Sequence, residues 1–177
     1  MRRWILPLLA GMVLAIGAYC LTLDMIPRVL MGAAVARIST QGGPNHMSHA
    51  PLATDQSHTV VRPSPDLAYS VCPIDLSHGP VRVHADVPGG QTPYWSLSIF
   101  DAETNVAFVR NNQQSGGKPI DVVLAVGNSA VPGGAPVVRL KNPTAIALVR
   151  VLVPDRAAFA ALDQARRASN CGTVAVR

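Results

Sequence analysis

Few residues in this chain have the type and spacing to do chemistry, and they lie far apart. His46, Met47 and His49 come nearest to a ligand set, because an His-x-x-His spacing beside a thioether can hold a soft metal such as copper. All five histidines fall between His46 and His84. A metal site also needs further ligands on a fixed scaffold, and residues 39–57 show neither helical nor strand periodicity. These three are weak candidates in what reads as a solvated linker, and no metal or cofactor is expected. Acid–base chemistry would fall to aspartates, since Glu103 is the single glutamate. Asp66, Asp75, Asp86 and Asp101 are available, and the turn composition of Asp75–Pro80 accounts for the second of them. The chain lacks GxSxG, HExxH, a phosphate loop and a dinucleotide fingerprint, and Pro132-Gly133-Gly134 does not join a strand to a helix. No catalytic residue can be named, and an enzyme is the less favoured reading.

Two cysteines could do structural chemistry. In an oxidising compartment Cys72 and Cys171 can pair, closing a loop of about 100 residues and constraining the unfolded chain by up to roughly 4–5 kcal/mol. Two separately buried thiols are the alternative. Cys20 lies in the apolar N-terminal run and takes no part.

That run must position everything else. Trp4–Leu23 carries no charge, and twenty residues of helix span about 30 Å, the thickness of a bilayer's hydrocarbon core. Arg2 and Arg3 precede it, so the basic-residue rule keeps the N-terminus cytoplasmic and sends the C-terminal body across. A cleaved signal peptide is the competing reading, with Ala15-Ile16-Gly17 or Ala18 as a weak site. The length of the run favours an uncleaved anchor over residues 1–24. Residues 25–38 keep apolar groups at helical spacing, as a continuation of the anchor or as an interfacial helix with Arg28 and Arg37 among headgroups. The formal charge of +5 is concentrated here, because Arg2, Arg3, Arg28 and Arg37 all precede residue 40. The body has no basic run, which excludes nucleic acid as a partner and leaves the bilayer, through residues 4–23, as the expected one.

From residue 58 the pattern is strand-like. His58–Arg62 is short and β-branched, and Leu67–Cys72 puts Leu67, Tyr69 and Val71 on one face. Val81–Val87 alternates cleanly, Pro88-Gly89-Gly90 suggests a hairpin to Tyr94–Phe100, and Asn105–Arg110 follows before a polar loop at 111–118. Ile120–Val126, Pro136–Leu140 and Thr144–Val153 complete the run, the last being the longest and most deeply buried in its middle. Pro154-Asp155 then opens a helix to about Ala168, and Thr173–Val176 reads as a short final strand. The expected class is mainly β: a transmembrane helix, then a largely antiparallel sandwich or helix-covered sheet over 58–177 with one C-terminal helix.

Between Val61 and Phe108 the chain presents, in order, Asp66, Tyr69 and Ser70, then Asp75, Leu76, Gly79 and Pro80, then Pro88 and Tyr94, and finally Asp101 with Asn105. This series resembles the bacterial family of unknown function DUF1254, whose pattern runs Asn-x-Asp-Thr-Leu-Tyr-Ser, Asp-Leu with Gly-Pro, a strand ending in Pro, an aromatic strand and Asp-x-x-x-Asn. Ser64 stands for the family's Asn and Leu67-Ala68 for its Thr-Leu, so any family polar cluster is incomplete here. The resemblance implies a β-rich envelope domain. Larger members carry a second, DUF1214-type domain in the same chain, which implies a split arrangement here, with a companion membrane-tethered β-domain chain. Physically, Asp101 and Asn105 suit a structural role at a bend. The alternative is a polar site of Asp66, Tyr69, Tyr94, Asp101 and Asn105, with Arg110 as an anion contact. Tyr69 and Tyr94 equally suit core positions with the hydroxyl at the rim.

The expected protein is thus a single-pass inner-membrane protein whose periplasmic β-domain is a non-catalytic half-module, binding a companion chain or a small envelope ligand. A hydrolase completed by a companion domain and a periplasmic metal-binding protein are the alternatives.

Overall fold

The computed structural model describes residues 2–54, 57, 63–86, 93–131 and 133–175. In chain order the elements are helix α1 (Arg2–Ser39), strands β1 (Ser48–His49), β2 (Leu67–Asp75), β3 (Val81–Ala85), β4 (Trp95–Asp101) and β5 (Val106–Asn111), and the short helix α2 (Asn112–Ser115). Strands β6 (Ile120–Val126), β7 (Val137–Leu140) and β8 (Thr144–Leu152) follow, then a 3-10 turn at Arg156–Ala158, helix α3 (Phe159–Ala168) and strand β9 (Asn170–Thr173).

Strand β8 alternates by burial along its whole length. Ala145, Ala147, Val149 and Val151 are buried, whereas Thr144, Ile146, Leu148, Arg150 and Leu152 are half-buried. That period of two places it inside a sheet with different surroundings on its two faces. It pairs antiparallel with β2 from Leu67↔Leu152 to Asp75↔Thr144, and on its other side with β4 from Trp95↔Val151 to Asp101↔Ala145. Strands β1 and β5 complete the order β1-β2-β8-β4-β5. The second sheet runs β7-β6-β3-β9. Its residues Val81, Val83, Ala85, Ile120, Val122 and Leu124 join Cys72, Ile74, Trp95, Leu97, Ile99, Val149 and Val151 of the first in one core. The body is therefore a two-sheet sandwich. Leu162 of α3 reaches the same core. Cys72 on β2 and Cys171 on β9 form a disulfide that ties one sheet to the other across 99 residues of chain.

Helix α1 is continuous through Pro7 and Pro27. It is long and apolar enough to cross a bilayer, and a signal sequence at an N-terminus passes the same test. Its last third packs on β2 and β8 with Met31 buried. The second sheet already fills the inner face of those strands, so α1 takes the outer one. Arg28 pairs with Asp24 one turn away at 2.5 Å and with Glu103, in the β4–β5 turn, at 2.9 Å.

Several expectations change. Strands β3 and β4 do not form a hairpin: β3 pairs with β6 and β9, and β4 with β8 and β5, so the chain crosses between sheets. Local turn composition is overridden because each strand buries its apolar face against the opposite sheet. Strand β7 lies parallel to β6, with Arg139 Nη1 donating to the carbonyls of Gly127 and Ser129 in the connecting loop. The segment read as a linker contributes β1, and Met47 and Ala53 are buried. Within the polar loop Asn111 caps α2 through a capping box with Gln114. The last strand lies earlier than expected, because pairing with β3 rather than composition makes Asn170–Thr173 extended. The expected strand at 58–62, the turn at 88–90 and the end of the last strand at Val176 fall outside the described residues.

Reducing the disulfide, or replacing both cysteines by alanine, is expected to lower the unfolding free energy by about 2–5 kcal/mol. Urea unfolding of the detergent-solubilised protein with and without reductant measures it.

Candidate functional site

The six residues expected to form a polar cluster divide between two ends of the first sheet. Asp101 closes the β4–β5 turn. Its Oδ1 accepts from the backbone N–H groups of Glu103 and Asn105, both at 2.9 Å, and its Oδ2 accepts from Asn105 Nδ2 at 3.2 Å. Thr104, with φ of 66°, donates its backbone N–H to the Asp101 carbonyl at 3.0 Å. This carboxylate is a local substitute for backbone partners, holding a turn whose tip carries Glu103 to the α1 arginine. At the other end, the Asp66 carbonyl accepts from Val153 N–H and the Tyr94 carbonyl from Leu152 N–H, both at 2.8 Å. Asp66 and Asp101 therefore stand roughly 25 Å apart, at about 3.3 Å per residue along β8. Arg110 sits opposite Leu97, so it shares the inner side of the edge strand and lies over the Phe108 ring, 5.7 Å from its centroid.

The polar groups that do meet are different ones. The pairing registers set Tyr69, Arg150, Ser96 and Asn111 side by side across β2, β8, β4 and β5, on the outer face. Tyr69 Oη accepts from the Ser64 N–H at 3.1 Å, and Tyr94 is 43% exposed near the same end. Arg150 makes one long contact, Nη2 to Ser98 Oγ at 3.4 Å. Its Nε and the neighbouring Ser96 Oγ are buried without a hydrogen-bond partner; outside this row, so are Trp95 Nε1 and Asn112 Oδ1. The one sequence signal for Arg150 is its place in an otherwise apolar run at the same parity as Ile146 and Leu148.

A second cluster locks α3 to the sheet. The Arg166 side chain is wholly buried, and it donates to the Tyr69 carbonyl, to Ser70 Oγ at 3.0 Å, to the Ala50 carbonyl at 2.9 Å and to Asp163. Arg167 Nε donates to the other Asp163 oxygen at 2.7 Å. Burial opposes ionisation of Asp163, but hydrogen bonds from Arg167 and Arg166 outweigh it and hold the carboxyl below its usual range. His49 Nδ1 lies 2.8 Å from Ser70 Oγ, and burial, then the Arg166 and Arg167 charges, lower its pKa. The Ser70–His49 contact has the reach of a nucleophile–base pair, but Ser70 is fully buried and Arg166 already occupies its oxygen. It is a staple. Arg166 reads in sequence as a cation suited to the end of a helix, and only burial shows its other role. His46, Met47 and His49 diverge: His46 is exposed beside Gly42, Met47 is in the core and His49 faces Ser70. Among the described residues no group of three or more His, Cys, Asp or Glu side chains could hold a metal ion.

A long apolar helix followed by a two-sheet sandwich with a C-terminal helix defines the class of this protein. The chain belongs to the family described as "Protein of unknown function (DUF1254)", whose model matches residues 44–172. That match begins before the body's expected start at residue 58, in keeping with the packing of Met47 and β1. No curated protein matches the chain significantly. It is similar to the crystal structure of the VPA0106 protein from Vibrio parahaemolyticus, with a TM-score of 0.65 and 14% identity over 84% of this chain. An uncharacterised protein from Burkholderia cenocepacia gives a TM-score of 0.48 at 13% identity over 78% of this chain. The chain spans about a third of the length of each, 35% and 37%. At such identities the likeness establishes the fold alone.

Arg166→Met is expected to destabilise the body by about 3–5 kcal/mol, because Asp163 loses one of its two arginine partners and the part-buried carbonyls of Tyr69 and Ala50 lose their donor; chemical denaturation reads it. His49 has a folded pKa below its unfolded value, so its stabilisation is complete above about pH 6.5 and is lost as pH falls through the folded pKa. The melting temperature should fall over that window and do so less in His49→Gln. A further loss, from Asp163, begins only below about pH 4.

Proposed function

We propose that α1 anchors the chain once in a bacterial inner membrane, with the N-terminus cytoplasmic. The body then lies in the periplasm as a non-catalytic half-module that binds a companion membrane-tethered β-domain chain or a small envelope ligand. The observation that carries this reading is the free edge of the first sheet. Among the described residues β5 has β4 as its only strand partner, and its Val106 and Val109 are 58% and 52% exposed. Unpaired edge groups beside exposed apolar side chains are what a second chain can cover. The likeness covers 84% of this chain but 35% of the Vibrio parahaemolyticus protein, which supports a body made to lie against further protein. The disulfide suits an oxidising compartment such as the periplasm. A hydrolytic reading would need Asp66, Asp101 and Arg110 in one cleft, and they lie at separate places on the sheet.

Purification of the full-length protein from its native membrane in mild detergent, with mass spectrometry of what accompanies it, tests the companion. A second tethered β-domain chain in near-equal amount is the expected result. A solitary, monodisperse protein overturns the half-module reading. Protease added to intact spheroplasts should reach the body; protection there would place it in the cytoplasm.

A further inference from the structure

We infer that the outer face of the first sheet holds a binding site for a small monocarboxylate, centred on Arg150. The guanidinium has five N–H donors, and the single contact it makes is the long one to Ser98. No acidic side chain lies within ion-pair distance of it among the described residues. Beside it, Ser96 is fully buried with its Oγ unpartnered. Two polar atoms, Arg150 Nε on β8 and Ser96 Oγ on β4, thus lack partners side by side among the described residues. Buried polar atoms without partners in a folded protein point to a water or a ligand that meets them. Arg166, equally an arginine against this sheet, is fully satisfied by protein groups, so the difference belongs to the Arg150 position and not to the fold's general treatment of charge.

The chemistry of the row selects the ligand class. A lone guanidinium matches a single negative charge, and its planar fork suits the two oxygens of a carboxylate. The Ser96 hydroxyl can give or accept, so a hydroxy- or amino-acid fits better than a plain fatty acid. Arg28 is pinned at Glu103, and Asn45, just past the helix, at Asp75, both at the far end of the strands from this row.

This inference deepens the small-ligand side of the proposed function and needs no companion chain, so it is tested on the chain alone. Lactate, propionate and inorganic phosphate are titrated separately into the full-length protein in detergent, with binding read by calorimetry and melting temperature. Saturable binding of lactate, weaker binding of propionate and none of phosphate is expected. Arg150→Met should weaken lactate at least about tenfold. The ligand-free variant should melt at or above the wild-type temperature, because an uncompensated charge has been removed. Ser96→Ala, which keeps the arginine, should weaken lactate severalfold without loss of stability. Absence of saturable carboxylate binding, preference for phosphate, or equal binding by Arg150→Met overturns the site. A sharp drop in the melting temperature of ligand-free Arg150→Met overturns it too, by making Arg150 a structural group.

Discussion

Strand β8 has to satisfy a strand on each side and a different environment on each face, and the remaining structure is arranged to let it. Its nine residues pair with all nine of β2, and seven of β4 lie against its other edge. On the inner face its residues are small where their neighbours are large: Ala145 sits beside Ile74, and Ala147 between Cys72 and Ile99. On the outer face the same strand presents Ile146 and Leu148, which need cover, and α1 packs on this sheet. A register slip of one residue would expose the alanine–valine set and bury Arg150 in the core, so the pairing is strongly specified.

Two arginines against this sheet show how differently one protein can treat buried charge. Arg166 is enclosed and gives its donors to two carbonyls, a hydroxyl and a carboxylate, which offsets the desolvation it suffers. In return it joins α3, β2 and the segment after β1, elements far apart in the chain. Arg150 is half-buried and has almost nothing. A fold tolerates such a group where the interaction it lacks comes from outside, which is the physical basis for reading that row as a site and the Arg166 cluster as a fastening.

The joint between helix and body is also electrostatic. Asp101 shapes the β4–β5 turn, and the turn in turn offers Glu103 to Arg28. The residues that most resemble the family pattern at this place therefore serve architecture, orienting the sandwich relative to α1. The family relation and the likeness to a longer protein from Vibrio parahaemolyticus agree on the fold and carry no activity with them.

What the sequence determined by itself was whatever depends on local periodicity. The uncharged run after Arg2 and Arg3 specified the long helix, strict alternation marked β3, a long apolar run marked β8, and the ordered series from Asp66 to Asn105 pointed to the family. Partnership was left to tertiary structure. Nothing local says that β3 and β4 part into different sheets, that Asn170–Thr173 becomes a strand because β3 lies beside it, or that Met47 leaves an apparent linker for the core. The same holds for the sites. Asp66 and Tyr94 are conspicuous in the chain but separated from Asp101 by the length of β8, whereas Arg150 and Ser96 are inconspicuous and brought together by register. Chemistry at a sheet face depends on which residues stand opposite one another, and that is decided only when strands distant in sequence have paired.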